Sequence, residues 1–178
     1  ISLEEYVNKL AKLPLAYNPG TTWEYGRSIE VLGRVLEVAS NSSLDILLKE
    51  KLFTPLNMKD TAFYVDKKNF YRIAEPFKEK QPELINIKKK PLFFTGGHGL
   101  VSTVSDYMRF CQMMLNKGKV GNKIIVSKNT VKYMTSNHLG KNINRNTPYY
   151  LPGQGYGFGL GFAVRENSGV SSWPGSKG

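Results

Sequence analysis

Apolar residues recur at helical spacing in five stretches of the chain. Leu3, Val7, Leu10 and Leu13 share one side of residues 2–13, and Pro14 stops that segment. Ile29, Leu32, Val35, Leu36 and Ala39 predict a helix from just after Tyr25 to about Ser40, where S-N-S-S breaks it. Leu44, Leu47 and Leu48 mark a third helix over residues 44–52, closed by Pro55. A fourth runs from Val104 to about Asn116, with Met108, Cys111, Met114 and Leu115 as its expected buried face. Thr103 and Asp106 are spaced there as an N-cap and its N3 acid, a variant of the capping box. After the turn N-K-G-K-V-G-N-K, the short run I-I-V-S precedes a fifth helix, with Ser127 as N-cap and Val131 and Met134 inward.

The period changes near the C-terminus. Y-G-F-G-L-G-F-A-V, residues 156–164, alternates large apolar residues with glycine, which reads as a strand whose glycines allow close backbone approach. Residues 64–91 have no clean period and are rich in lysine, glutamate and proline. An ordered excursion and a mobile flap both fit them. Two glycine-containing turns punctuate the rest: Y-N-P-G-T-T-W at 17–23 and T-G-G-H-G-L-V-S-T at 95–103.

Composition sets limits on this picture. A chain of 178 residues with 40% hydrophobic and 12% aromatic residues has the makings of a globular core and is too apolar for disorder. It contains no signal-peptide pattern and no apolar run of 18 or more residues, so no membrane span is expected within it. Both ends, Ile1 and P-G-S-K-G, read as cut. The net charge of +11 is spread along the chain, with K-K-K at 88–90 as the only run and no nucleic-acid-binding motif beside it. A solvated lysine-rich surface is therefore expected, and no nucleic-acid partner. The lone Cys111 permits no disulfide, and neither H-E-x-x-H nor paired Cys/His spacings occur, so no metal or other cofactor is expected.

Candidate chemistry is sparse. G-x-S-x-G, S-x-x-K and K-T-G are all absent, and His98 and His138 have no acid pattern that would make a Ser-His-Asp triad. What remains is Tyr25 at a turn-to-helix junction and the loop carrying His98. Tyr25 is either a packed core residue or a group placed to move a proton. A phenol with a pKa of about 10 is only about 0.1% ionised at pH 7, so a base role needs positive charge nearby. His98 either packs among glycines needed for positive φ or lines a pocket. Arg27 is either solvated or used, since a cation at a helix N-terminus opposes the macrodipole.

The order of these pieces resembles the serine β-lactamase-related family, which includes class C β-lactamases, penicillin-binding DD-peptidases and family VIII esterases. The likeness is carried by Y-N-P-G-T-T-W-E-Y-G-R-S-I-E-V-L-G, by P-L-N-M-K-D-T-A-F, by G-G-H-G-L-V-S-T and by G-Y-G-F-G-L-G-F-A-V, and it runs from Tyr17 to Gly178. The resemblance implies an α+β, mainly α chain: a helical domain over 1–155, with a long irregular excursion near 64–91, and the truncated start of an α/β-domain sheet over 156–178. It implies that Tyr25 is catalytic, taking the proton of an S-x-x-K serine, and that Arg27, Gly97 and His98 bind substrate. Arg27 stands where the Y-x-N motif has asparagine, and a guanidinium cannot accept a hydrogen bond. The spacing instead resembles the esterase-like pattern Y-S/G-x-x-x-D-x-L/A-G, with Glu30 at the acidic position. That points from β-lactams toward small esters.

In this family S-x-x-K lies upstream of the tyrosine turn and the K-T-G-equivalent strand downstream of the re-entering strand. The resemblance therefore implies an internal piece of a serine hydrolase, inactive by itself, whose partners are the remainder of its own parent chain and a small ester, amide or lactam substrate. A non-catalytic binding module that keeps the same scaffold is the competing expectation.

Overall fold

The structure, a computed structural model, describes residues 1–77 and 84–167. It is mainly helical with two small antiparallel strand pairs, the α+β class expected. Two compact units divide the chain: Ile1–Leu13 with Arg27–Gln112, and Pro14–Gly26 with Met113–Gly178.

The first unit opens with α1, Leu3–Leu10, under a full capping box in which Ser2 and Glu5 bond each other's backbone N–H. Helix α2, Ser28–Ser40, packs beside it, and Arg34 ties Glu4 of α1 at 3.0 Å to Glu37 at 3.4 Å. Asn41 ends α2 in the left-handed conformation, φ 49°. The third helix starts as α3, Leu44–Leu48, and finishes as a π-helical turn over Lys49–Phe53, so its expected span of 44–52 holds while its winding changes. Leu3, Leu44, Phe53, Leu56, Met58 and Phe63 form this unit's apolar core.

The inner face of α2 is unexpected. Ile29, Leu32, Val35 and Leu36 are 39–54% exposed, whereas Glu30 and Gly33 are buried. Gly33 faces inward because its bare Cα admits both the Gly96 backbone and the Leu44 side chain, each within 3.4 Å of where a Cβ would stand. Helix α4, Val104–Leu115, also turns a different face inward from the one the pattern predicts. Met108 and Leu115 are exposed and Cys111 is half-buried, while Asp106 and Met113 are buried. The cause is a polar anchor. Asp106 accepts hydrogen bonds from the Asp60 backbone N–H at 2.7 Å and the Thr61 hydroxyl at 3.0 Å, and pairs with Arg109 at 3.0 Å. Thr103 caps the Asp106 N–H as expected, but the Asp106 carboxylate turns to its distant partners in place of completing a capping box.

The excursion after Tyr64 carries regular structure and ion pairs where it is described. It holds a 3-10 helix, Lys67–Arg72, and a two-bond Arg72–Asp60 ion pair at 2.6 and 2.7 Å. Val65 bonds Ile87, and Lys88 reaches Glu75 at 3.0 Å.

In the second unit β1, Lys119–Val120, pairs with β2, Lys123–Ile124, and Ser127 caps α5, Lys128–Met134, as the pattern requires. Val131 is buried, with Met113 and Tyr156. The glycine-alternating run folds as a hairpin, β3 Tyr156–Phe158 and β4 Ala163–Arg165, in place of one continuous strand, because Gly161 takes φ 80° between them. Its other glycines act as expected: a Cβ on Gly157 would collide with Asn137, and one on Gly159 with the Met134 carbonyl. Residues 168–178 of the anticipated sheet segment lie outside the described residues. No helix among the described residues is long and apolar enough to cross a membrane.

Candidate active site

In the first unit, the expected substrate-side residues gather around one carboxylate. Glu30, in the first turn of α2, is 3% exposed. Its Oε1 stands 3.6 Å from Arg27 Nη1 and 3.3 Å from His98 Nδ1. Both its oxygens would lie 3.1 Å from a Cβ on Gly97. An ionised carboxylate out of water needs opposite charge or hydrogen bonds to offset lost hydration, and Arg27 and His98 are placed to supply them. Arg27 occupies the N-cap position of α2 and makes no side-chain cap. Its charge is set against Glu30 one turn on, which offsets its conflict with the helix dipole. So Arg27, Gly97 and His98 do come together, and Glu30 joins them.

The loop that carries Gly97 and His98 is fixed from both sides. The Thr95 hydroxyl donates to the His98 carbonyl and accepts from the His98 N–H at 3.0 Å, and Gly99 turns the chain with φ 89°. Gly96 and Gly97 do not have positive φ. They are glycine for space: a Cβ on Gly96 would strike the Ile29 carbonyl. The positive φ expected of this loop's glycines thus belongs to Gly99 alone, and the G-G pair lets the loop lie on α2.

In the second unit, Tyr25 ends a segment held along residues 144–149. Asn144 donates to Thr21 O at 2.8 Å and accepts from Trp23 N–H at 3.1 Å, and Tyr25 N–H donates to Tyr149 O at 3.1 Å. Trp23 anchors the segment by edge contacts to Tyr150 and Phe158, with ring centres 5.2 and 5.0 Å away. The Tyr25 side chain is 64% exposed, and its hydroxyl bonds no described residue. It is not a core tyrosine. Tyr150 is the packed one here: its hydroxyl donates to Tyr156 O at 2.7 Å, and burial pushes its pKa up. Beside Tyr25, the Glu24 carboxylate raises the Tyr17 phenol, chiefly through a hydrogen bond, and Glu24 Oε2 is buried with no protein partner among the described residues.

Described residues of the first unit line a larger and a smaller cavity. The larger, about 830 Å³, is bounded by the third helix and the Lys67–Arg72 segment and holds none of the expected site residues. The smaller, about 220 Å³, includes His98. Among the described residues no group of three or more His, Cys, Asp or Glu side chains is placed to hold a metal ion. Sequence reasoning placed Glu30 only by spacing. Its burial, and its contacts to a loop over sixty residues away in the chain, had no local signal beyond an acid in an apolar helix.

Comparison with known proteins shows the family. The Beta-lactamase family model matches residues 2–178. An uncharacterized protein of Mycobacterium tuberculosis is 29% identical across 95% of this chain and 47% of its own length. Esterase EstB of Burkholderia gladioli is 33% identical over 86 residues, which are 48% of this chain and 21% of that enzyme. Among solved structures, EstCE1, a hydrolase with promiscuous acyltransferase activity, superposes with a TM-score of 0.77 at 24% identity, covering 99% of this chain and 49% of that one. The chain spans about half the length of the M. tuberculosis protein it matches. With that family model matching nearly its whole length, the chain belongs to the β-lactamase family.

Proposed function

We propose that this chain is part of an esterase-like serine hydrolase that cleaves a small ester or amide through an acyl-serine intermediate. Tyr25 is the base, and Arg27, Gly97 and His98 serve the substrate side. The observation that carries the reading is Tyr25 itself: its backbone is clamped to Tyr149 while its phenol is exposed and uncommitted. A general base needs a free oxygen that can come within about 2.6–3.2 Å of the proton it takes. The similarity to Esterase EstB supports an ester substrate, as does the departure of Arg27 from the Y-x-N pattern.

The chain contains no S-x-x-K, so the nucleophile and its lysine belong, in this proposal, to further segments of a longer protein. Those segments would also cover the apolar stripe of Ile29, Leu32, Val35 and Leu36 on α2. The test is hydrolysis of a nitrophenyl ester by the 178-residue chain and by its longer parent. The parent should turn the ester over, with loss of activity under a serine-directed phosphonate, and the chain alone should not. Phosphonate-sensitive turnover by the chain alone would contradict the proposal.

A further inference from the structure

The smaller cavity of the first unit has a composition that the catalytic reading does not use. Its walls include Phe63, Ile85, Leu92 and Phe93, and His98 stands among them with Thr95. The walls are braced from behind: Phe63 packs on Phe94 with ring centres 5.1 Å apart, and Phe93 on Tyr6 at 5.2 Å. Ile85 and Leu92 are 65% and 86% exposed, so apolar side chains stand open to water at the cavity's edge. A cavity of about 220 Å³ exceeds the roughly 150 Å³ apolar void that accommodates benzene, yet falls below the usual range for drug-sized ligands. One ring or a short branched chain fits it.

Polar atoms decide what else the occupant carries. The Thr95 hydroxyl is spent on the His98 backbone. Glu30 Oε1, 3.3 Å from His98 Nδ1, favours a proton on that nitrogen. A ring whose Nδ1 proton faces Glu30 leaves Nε2 as the nitrogen that can accept, and no described residue bonds that atom. Asn86 also lines the cavity; its Oδ1 accepts from the Lys88 N–H, and its amide N–H stays available as a donor among the described residues. Walls with one ring acceptor and one amide donor suit an apolar molecule that carries a hydroxyl, which donates and accepts.

We propose that this cavity is a binding pocket for a small apolar alcohol, one ring in size, whose hydroxyl donates to His98 Nε2 while Glu30 holds the imidazole in that tautomer. The alcohol's identity as the leaving half of an ester rests on the hydrolase reading above; the pocket itself does not.

The experiment is an NMR titration of the full chain labelled with nitrogen-15 histidine, using cyclohexanol, cyclohexanecarboxylate and methylcyclohexane. His138 is the internal control, because its Nε2 already sits 2.6 Å from the Tyr133 carbonyl. Cyclohexanol should move the His98 Nε2 signal saturably and leave His138 in place. The carboxylate, which offers no donor to Nε2 at neutral pH and would bring a second negative charge to the ring that Glu30 already meets at Nδ1, should bind at least about tenfold more weakly. Leu92→Ser removes an exposed wall residue without touching the core and should weaken cyclohexanol by about three- to tenfold. An unmoved His98 signal, equal binding of the carboxylate, or no effect of Leu92→Ser overturns the proposal. Cyclohexanol binding at His98 beside a parent that hydrolyses no ester would retain the pocket and remove the hydrolase reading.

Discussion

Glu30 and His98 meet across 3.3 Å although one belongs to the first turn of α2 and the other to a loop far along the chain. Their contact requires the loop to lie almost on the helix, and the two glycines before His98 make that possible.

Gly96→Ala should therefore be costly. Its Cβ would meet the Ile29 carbonyl, which is backbone and cannot swing aside. A loss of about 1–3 kcal/mol or more is expected, as for other overpacked sites. Gly121→Ala is the control: φ is 54° there and nothing lies within 4 Å, so only the strain of the left-handed region, about 1 kcal/mol, applies. Chemical denaturation of both variants checks this. Equal stability of Gly96→Ala and the parent sequence would show that the loop does not press on α2.

Asp106→Ala should destabilise the first unit more than its place at the start of α4 suggests. It would strand the Asp60 N–H and leave the Thr61 hydroxyl with Ser102 alone, at 2.8 Å, and a buried group left unsatisfied costs about 1–3 kcal/mol. Asp106→Asn keeps an acceptor oxygen and should cost less. Urea midpoints of the two variants give the order directly.

The Arg72–Asp60 pair predicts a defined pH response. The Arg72 hydrogen bonds hold the Asp60 carboxyl below its ordinary range, against a smaller opposing effect of burial. A depressed folded-state pKa means that the stabilisation is present above the unfolded value of about 3.9 and lost as pH falls through the folded one. The difference in stability between the parent sequence and Arg72→Met should thus be flat above about pH 5 and shrink in more acid solution. Thermal melts across that range check it. A difference that grows on acidification would contradict the assignment.

What could be read from pattern alone was local. The bounds of α2 follow from its apolar run and the S-N-S-S break, and the α5 cap from Ser127. The close approach at Gly157 and Gly159 follows from their alternation with large apolar residues, although the run reads as one strand and folds as a hairpin. What escaped was decided by partners remote in sequence. Asp106 looked like a capping acid until its partners 46 positions earlier were seen. The inward face of α2 was masked because a buried Glu30 and Gly33 contradict the ordinary rule that apolar side chains face the core. At the candidate site, motif order drew attention to Tyr25, Arg27, Gly97 and His98. Glu30, which links three of these four, needed the fold.

Tyr25→Phe in the longer parent protein tests the central claim most directly. The substitution removes one exposed oxygen that bonds no described residue, so the thermal midpoint should not change. Loss of a general base should lower kcat by roughly 10²–10⁴ with little effect on KM. Turnover at the parent rate by a folded Tyr25→Phe variant would contradict the account and leave Tyr25 as a surface residue of the tyrosine turn.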